Sequence, residues 1–303
     1  MKIIVFGATG FIGKHLIPYL KKQDHQIVVF SRYPEKAKEI FPELQQFYRW
    51  DGFSEEIISD CAEDADAIIN LSGENIAAKP WTKKQRFRIL QSRSQLGTTI
   101  ASALSKIQNK PEVYIQASAI GYYGPQPDGA CTEGCTLGSG FLAQVTEAWE
   151  APANEIRQLG VRVPILRTGV VLEKEGGLIQ KMMIPMRFFV GGYPGNGKQY
   201  ISWIHMEDEI RAIDFLLHNK KTDGPYNLTA PNPVRMRFFS KLLGKATGKP
   251  VWIPVPKWAI KLTVGQMGEE ILLADQKVIP QKLEKEGFQF EYPSLEKAMN
   301  EIF

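Results

Sequence analysis

Ile3-Ile4-Val5-Phe6-Gly7-Ala8-Thr9-Gly10-Phe11-Ile12-Gly13 decides how this chain folds. Four consecutive apolar residues read as a short strand buried on both faces, the signature of a covered parallel sheet. The stretch from Phe11 to Lys22 reads as a helix. Between them the glycines fall at G-x-x-G-x-x-G spacing, one residue longer than the dehydrogenase fingerprint. Glycine permits the tight turn and lets the backbone approach a pyrophosphate, which rests on the positive N-terminus of the helix. Gly13 lets the helix pack closely on the sheet. A glycine motif alone is weak, because any tight strand-to-helix turn uses glycine. Its place between a strand and a helix, with βαβ continuation, gives it meaning.

Outward from that turn, strands and helices alternate. Ile27 to Phe30 forms the next strand, a helix-like stretch lies near Glu55 to Cys61, and Ala67 to Leu71 is another buried strand. Thr82-x-x-Gln85 has capping-box spacing and opens a helix running to about Ile107. Phe87, Leu90, Gly97, Ile100, Leu104 and Ile107 give it an inward face. Val113 to Gln116 is a strand, followed by a Gly/Pro-rich loop to Ser139, a helix from Phe141 to Gln158 and a strand from Val161 to Leu166. This is an α/β fold, a Rossmann doubly wound parallel sheet. From Gly169 onward the alternation decays, with a long loop over 191–197 and prolines at 231, 233, 250, 254 and 256. Residues 1–170, with a return segment at about 202–230, are expected to form the dinucleotide-binding domain. Residues 171–201 and 231–303 are expected to form a smaller substrate-side lobe.

Composition narrows the function classes. The 303 residues bury a sizeable core, and 44% hydrophobic with 23% charged residues is ordinary for a globular protein. A net charge of +4 is too small and too spread out to argue for nucleic acid, and the run Lys83, Lys84, Arg86, Arg88 reads as a solvated helix face. No apolar run reaches the length of a membrane span, and Lys2 leads straight into a strand rather than an apolar signal region. A cytoplasmic protein with a small-molecule substrate is expected, without nucleic-acid or membrane partners. Cys131 and Cys135 are four apart with no histidine nearby to complete a metal set, so they read as buried or loop thiols and no metal is expected.

The second strand ends at Ser31-Arg32, where an NAD-specific site offers an acid to the ribose 2′-hydroxyl. Neither position is acidic. A guanidinium and a hydroxyl suit a 2′-phosphate, so NADP(H) is the expected cofactor. Leu71-Ser72-Gly73 closes a strand at the carboxyl edge of the sheet, where ligands of such folds bind.

Together with Asn70-Leu71-Ser72-Gly73 and Ser118-Ala119-Ile120-Gly121-Tyr122-Tyr123-Gly124, these residues resemble the extended short-chain dehydrogenase/reductase superfamily. More narrowly, the chain resembles its atypical group of epimerase family proteins, nucleoside-diphosphate-sugar epimerases by description, with a C-terminal domain of unknown function. Gly73-Glu74-Asn75-Ile76, Arg167-Thr168-Gly169-Val170-Val171-Leu172, Ser202-Trp203-Ile204-His205-Met206-Glu207-Asp208 and Gly265-Gln266-Met267-Gly268 look like that group's motifs. The resemblance covers essentially the whole chain. It implies NADP(H) contacts at Gly7, Thr9, Gly10, Phe11, Ile12, Gly13, Ser31, Arg32, Leu71, Ser72, Gly73, Arg93 and Val171.

Two departures limit what it implies about chemistry. Active members of the superfamily carry Tyr-x-x-x-Lys, but aligning Glu150 with the usual glutamate puts Leu142 and Thr146 at those positions. An unassisted tyrosine of pKa near 10 costs around 4 kcal/mol to use as a base at neutral pH. Second, Ile201 stands where epimerases commonly hold the substrate diphosphate with arginine, and Lys198 is a poorer bidentate partner. Ser118 is a candidate to touch substrate or cofactor, or else a capped turn. Tyr122 and Tyr123 are candidate acids or hydrogen-bond donors in place of the missing tyrosine, or else an aromatic lining. Glu133 and Glu147 are acids or bases only if buried. His205 reads as structural, while Trp81, Arg88 and Arg93 are expected to shape the pocket or touch phosphate, a pure surface role staying open for Arg88. No Gly-x-Ser-x-Gly elbow or phosphate-binding Gly-x-x-x-x-Gly-Lys loop occurs. The expected function is an NADP(H)-binding oxidoreductase or epimerase-like enzyme for a small polar, sugar-like substrate; the alternative is a non-catalytic NADP(H)-binding module.

Overall fold

The computed structural model describes residues 1–303, apart from the side chains of Pro127 and Asp128. Its first part runs β1 (Lys2–Phe6), α1 (Gly13–Lys22), β2 (Gln26–Ser31), α2 (Pro34–Ile40), β3 (Gln46–Arg49), α3 (Glu55–Ala62), β4 (Ala67–Asn70), α4 (Lys83–Lys106) and β5 (Val113–Ala119). A single 3-10 turn (Ile120–Tyr123), β6 (Gln126–Cys131), α5 (Phe141–Gln158), β7 (Pro164–Thr168) and β8 (Val170–Leu172) follow. The remainder comprises α6 (Gly177–Arg187), β9 (Gly191–Pro194), β10 (Tyr200–Ile201), β11 (Trp203–His205), α7 (Met206–His218), β12 (Gly224–Leu228), β13 (Val234–Arg235), α8 (Met236–Thr247), β14 (Val251–Val255), α9 (Lys257–Leu272), β15 (Gln276–Val278), α10 (Gln281–Lys285) and α11 (Leu295–Ile302).

Seven strands form one parallel sheet in the order β12-β7-β5-β4-β1-β2-β3. β1 shows why the opening run is apolar throughout. Ile3 and Val5 join the core under α1 and α7, while Ile4 and Phe6 join the core on the opposite face with α3, α4 and α5. The sheet is covered on both sides, so neither set of side chains tolerates polarity. A separate core of Leu172, Trp203, Phe239, Leu243 and Met299 holds the later elements together.

Several expectations need correction. Phe87 is 63% exposed; the inward face of α4 is instead Gln85, Ile89, Arg93, Leu96, Gly97, Ile100 and Leu104. Gly97 sits there because a Cβ would lie 2.9 Å from the ring of Pro152 on α5. The segment before Ser139 is not all loop: β6 pairs with β15. The strand expected from Val161 begins at Pro164. The sulfurs of Cys131 and Cys135 lie side by side, Cys131 buried and Cys135 partly buried beside Ile120 and Tyr123. Only half of the capping box forms: Thr82 accepts from the Gln85 amide at 3.2 Å, but the Thr82 amide donates to the Pro80 carbonyl and the Gln85 side chain donates to Glu74. No helix among the described residues is long and apolar enough to cross a membrane.

Candidate functional site

At the first turn the glycines are dictated by backbone contacts. Gly7 has φ +81°, and a Cβ there would lie 2.7 Å from the carbonyl carbon of Leu71. A Cβ on Gly13 would lie 2.4 Å from the Ala8 oxygen, so only glycine lets α1 start so close to β1. α1 has no side-chain cap and no acid in its first turn. The amides of Phe11 and Ile12 donate to no group among the described residues. This helix end therefore keeps its positive potential and its donors for a ligand. Phe11 lies against Gly176, and Val171 belongs to the same core cluster as Ala8, with Phe11, Ile12 and Leu71 packed on it. Thr9 is partly exposed at the same turn.

The neighbouring strand ends complete a cradle along the carboxyl edge. β4 ends at Asn70, whose side chain accepts from the Ser72 amide at 3.1 Å and donates to Tyr114 and Gln116. That buried network fixes the path of Leu71-Ser72-Gly73. At the end of β2, Ser31 accepts from the Tyr33 amide at 3.1 Å, and the exposed Arg32 forms no ion pair among the described residues.

Arg93 reaches this edge from α4. It is 7% exposed, its guanidinium lies 4.5 Å from the centre of the Trp149 ring, and Nη1 donates to the Ile89 carbonyl at 3.1 Å. A Cβ on Gly73 would stand 3.0 Å from the guanidinium carbon. Among the described residues no carboxylate pairs with it, and its Nε has no partner. Burial lowers its pKa to about 10, with Glu74 pulling the other way. A buried cation with an unused donor is costly unless an anion completes it.

The other half of the edge is closed on itself. Glu150 on α5 accepts from Ser118 at 2.6 Å and, in bidentate fashion, from Arg167 at 2.9 Å through both Nε and Nη2. Arg167 Nη1 also donates to the Tyr123 hydroxyl at 3.1 Å, and that hydroxyl donates to Asn227 at 2.7 Å. The Arg167 guanidinium lies 3.4 Å from the centre of the Tyr122 ring. Burial opposes the Arg167 charge, but Glu150 more than offsets this and raises its pKa above the ordinary value. Tyr123 is fully buried, which pushes its pKa up to about 12 although Arg167 pulls it down. Of the three candidate catalytic side chains, Ser118 and Tyr123 are thus enclosed in an ion-pair network, and only Tyr122 keeps partial exposure.

The other candidates separate cleanly. Glu133 is buried, but its carboxylate accepts from the amides of Asn227 and Lys282, a structural duty. Glu147 and Arg88 are exposed. His205 caps α7, its Nδ1 accepting from the Glu207 amide at 3.2 Å. Thr146 spends its hydroxyl on carbonyls of its own helix, and Ile201 is buried. Two groups were not legible beforehand. Glu270 on α9 accepts from the amides of Phe141 and Leu142 at 3.0 and 2.8 Å, capping α5 from more than a hundred residues away. Glu209 is fully buried, accepts from Thr168 at 2.8 Å, and burial raises its carboxyl to about 8.

Comparison with known proteins agrees with this geometry. Residues 3–229 match the NAD dependent epimerase/dehydratase family, and residues 255–302 match a domain of unknown function, DUF1731. An epimerase family protein of Staphylococcus aureus (strain MRSA252) is 37% identical over 303 residues, covering 99% of this chain and 98% of its own. The crystal structure of human epimerase family protein SDR39U1 (isoform 2) with NADPH superposes with a TM-score of 0.88 at 29% identity, covering 100% of this chain and 99% of that one. A nucleoside-diphosphate sugar epimerase from Corynebacterium glutamicum follows at 0.78 and 26%, covering 99% of this chain and 57% of that one. On the family match over most of its length and the relative at 37% identity, the chain belongs to the NAD dependent epimerase/dehydratase family.

Proposed function

We propose that the protein is an NADP(H)-dependent oxidoreductase or epimerase-like enzyme acting on a small polar, sugar-like substrate. The observation that carries this reading is Arg93, a buried cation whose Nε lacks a partner beside a helix end with free amides. Those groups fit a dinucleotide: the amides of Phe11 and Ile12 would receive its pyrophosphate, Arg93 an adjoining anionic or ribose oxygen, and Arg32 with Ser31 its 2′-phosphate. The human relative's NADPH supports the same choice of cofactor. When bound, the nicotinamide supplies hydride transfer. The chain's own residues then have limited tasks. Tyr122 is the side chain able to donate a hydrogen bond or proton to a substrate oxygen. Ser118, Glu150, Arg167 and Tyr123 hold the strand end and the Tyr122 ring in place. With Leu142 and Thr146 at the positions of the superfamily's Tyr and Lys, Tyr122 is assigned the part of a donor.

The enclosed state of Ser118 and Tyr123 favours a second reading, a non-catalytic NADP(H)-binding module. Titrating the protein with NADPH and NADH by fluorescence, then following NADPH absorbance against carbonyl compounds and nucleotide sugars, tests both. Tighter NADPH binding with turnover of one substrate supports the first. Confirmed binding with inertness across the panel replaces it with the second, and equal weak binding of both nucleotides defeats the cofactor assignment.

A further inference from the structure

The net charge of +4 hides a segregation. Residues 176–206 and 224–268 hold ten of the chain's 37 Lys and Arg and none of its 33 Asp and Glu, so these segments carry +10 and the rest −6. They also fold together: β14 pairs with β9, and α6 and α8 pack on β9. Four of the ten cations, Lys198, Arg235, Arg237 and Lys241, line an open cavity of about 520 Å³ beside Phe238, and no acid lines it. Arg235 alone among them approaches an acid, Asp275 at 3.8 Å.

The same segments expose apolar side chains in an unbroken order. Ile184 and Phe188 stand one helical turn apart at the end of α6, 55% and 75% exposed. Phe188-Phe189-Val190 leads directly into β9, whose partner β14 carries Trp252 and Ile253, 67% and 48% exposed. Two residues after β14, α9 begins and presents Trp258 and Leu262 one turn apart, 70% and 80% exposed. Lys249 Nζ lies 4.5 Å from the centre of the Phe189 ring, so the cations reach into the apolar ridge.

Against the expectation from composition that no membrane is a partner, we infer that this lobe lies on the surface of an anionic phospholipid bilayer, its aromatic and aliphatic ridge in the headgroup–acyl boundary and its cations on lipid phosphates. Tryptophan favours that boundary, and an apolar anchor joined to a polybasic patch is the pair of signals that stable attachment needs. A single-stranded nucleic acid would engage the cations and rings but leave Ile184, Val190, Ile253 and Leu262 without apolar partners. A second copy would set the cavity's Lys198, Arg235, Arg237 and Lys241 against the same cations of its partner, and like charge opposes that.

The test is sedimentation of the full chain with vesicles of phosphatidylcholine alone and of phosphatidylcholine with one-third phosphatidylglycerol. Binding is expected only to the anionic vesicles, with a blue shift of tryptophan emission and release at high salt. Lys241→Glu with Lys245→Glu should weaken partition at least about tenfold, since each cation near such a surface adds measurably to binding. Trp252→Ser with Trp258→Ser should remove the blue shift. Both variants should keep the parent's thermal midpoint, which separates lost binding from lost folding. No partition at low salt overturns the inference, as does partition that ignores both variants. Oligonucleotide binding in place of vesicle binding, or a dimer that shields Trp252 and Trp258 from quencher, also overturns it.

Discussion

Arg93 and Arg167 are buried to a similar degree at the carboxyl edge of one sheet, 7% and 4% exposed, yet they are handled in opposite ways. Arg167 has a bidentate carboxylate, a tyrosine hydroxyl and an aromatic face. Arg93 has one backbone carbonyl, a tryptophan face and an idle Nε. The first is finished within the chain; the second, in the function proposed, is left for a ligand to finish. Keeping a buried charge without its counter-ion costs stability, a cost that fits a group reserved for binding. By this criterion the glycine-turn half of the edge is the receiving half, and the corner around Ser118 is its frame.

Removing each arginine should separate the two. Arg167→Met leaves Glu150 buried without its cation and should cost about 3–5 kcal/mol of stability, read by denaturant unfolding. Pairing it with Glu150→Leu should restore most of that loss, because replacing both members of a buried pair by apolar groups is close to neutral. Arg93→Met should behave in the reverse sense. It should weaken NADPH binding by about 2–4 kcal/mol while leaving the ligand-free protein as stable as the parent or more so. If Arg93→Met unfolds the protein as Arg167→Met does, the contrast fails and Arg93 is structural too.

What the sequence made legible was local. The turn at Gly7 to Gly13, the cap at Thr82 and the helix at Phe141 to Gln158 depend on neighbours within a few residues, and the structure places them as read. Phe87 departs from the inward face because helical spacing leaves a choice of face, and Pro152 of α5 packs at Gly97 while Phe87 stays exposed. β3 carries no buried residue to announce itself. In the site, the residue types at Ser118, Tyr122 and Tyr123 suggested chemistry, but their availability depended on Glu150 and Arg167, which lie 32 and 49 positions beyond Ser118. No spacing rule joins those residues; the pairing of β5 with β7 does.

Glu209 shows a third way to carry a buried ionisable group, by keeping it neutral. Burial raises its carboxyl to about 8, and the bond from Thr168 only partly offsets this. The folded chain then retains a proton that the unfolded chain, with a pKa near 4.3, releases. This contribution is whole below the unfolded value and is lost as pH rises toward the folded one. The slope is about 1.4 kcal/mol per pH unit, or roughly 3 kcal/mol between mildly acid and neutral pH. Glu209→Gln should flatten that part of the stability profile, and chemical unfolding across the range reads it. An unchanged slope would mean that Glu209 is ionised when folded, and that the interior tolerates an anion there as it tolerates the Arg93 cation.

The smallest effect tests the outermost contact of the receiving half. Arg32 is exposed and forms no ion pair among the described residues, so its removal should disturb no packing there. Arg32→Ala should leave stability and NADH affinity unchanged and weaken NADPH by about 1.5–3 kcal/mol, roughly ten- to a hundredfold, the worth of a hydrogen bond to a charged group. Salt should compress the difference, because an exposed contact is screened where the buried one at Arg93 is not. If both nucleotides weaken together, Arg32 acts on the shared part of the dinucleotide; if neither does, selection for the 2′-phosphate lies elsewhere on the edge. Only a loss confined to NADPH makes the end of β2 the place where the cofactor is chosen, with Arg93 holding what both cofactors have in common.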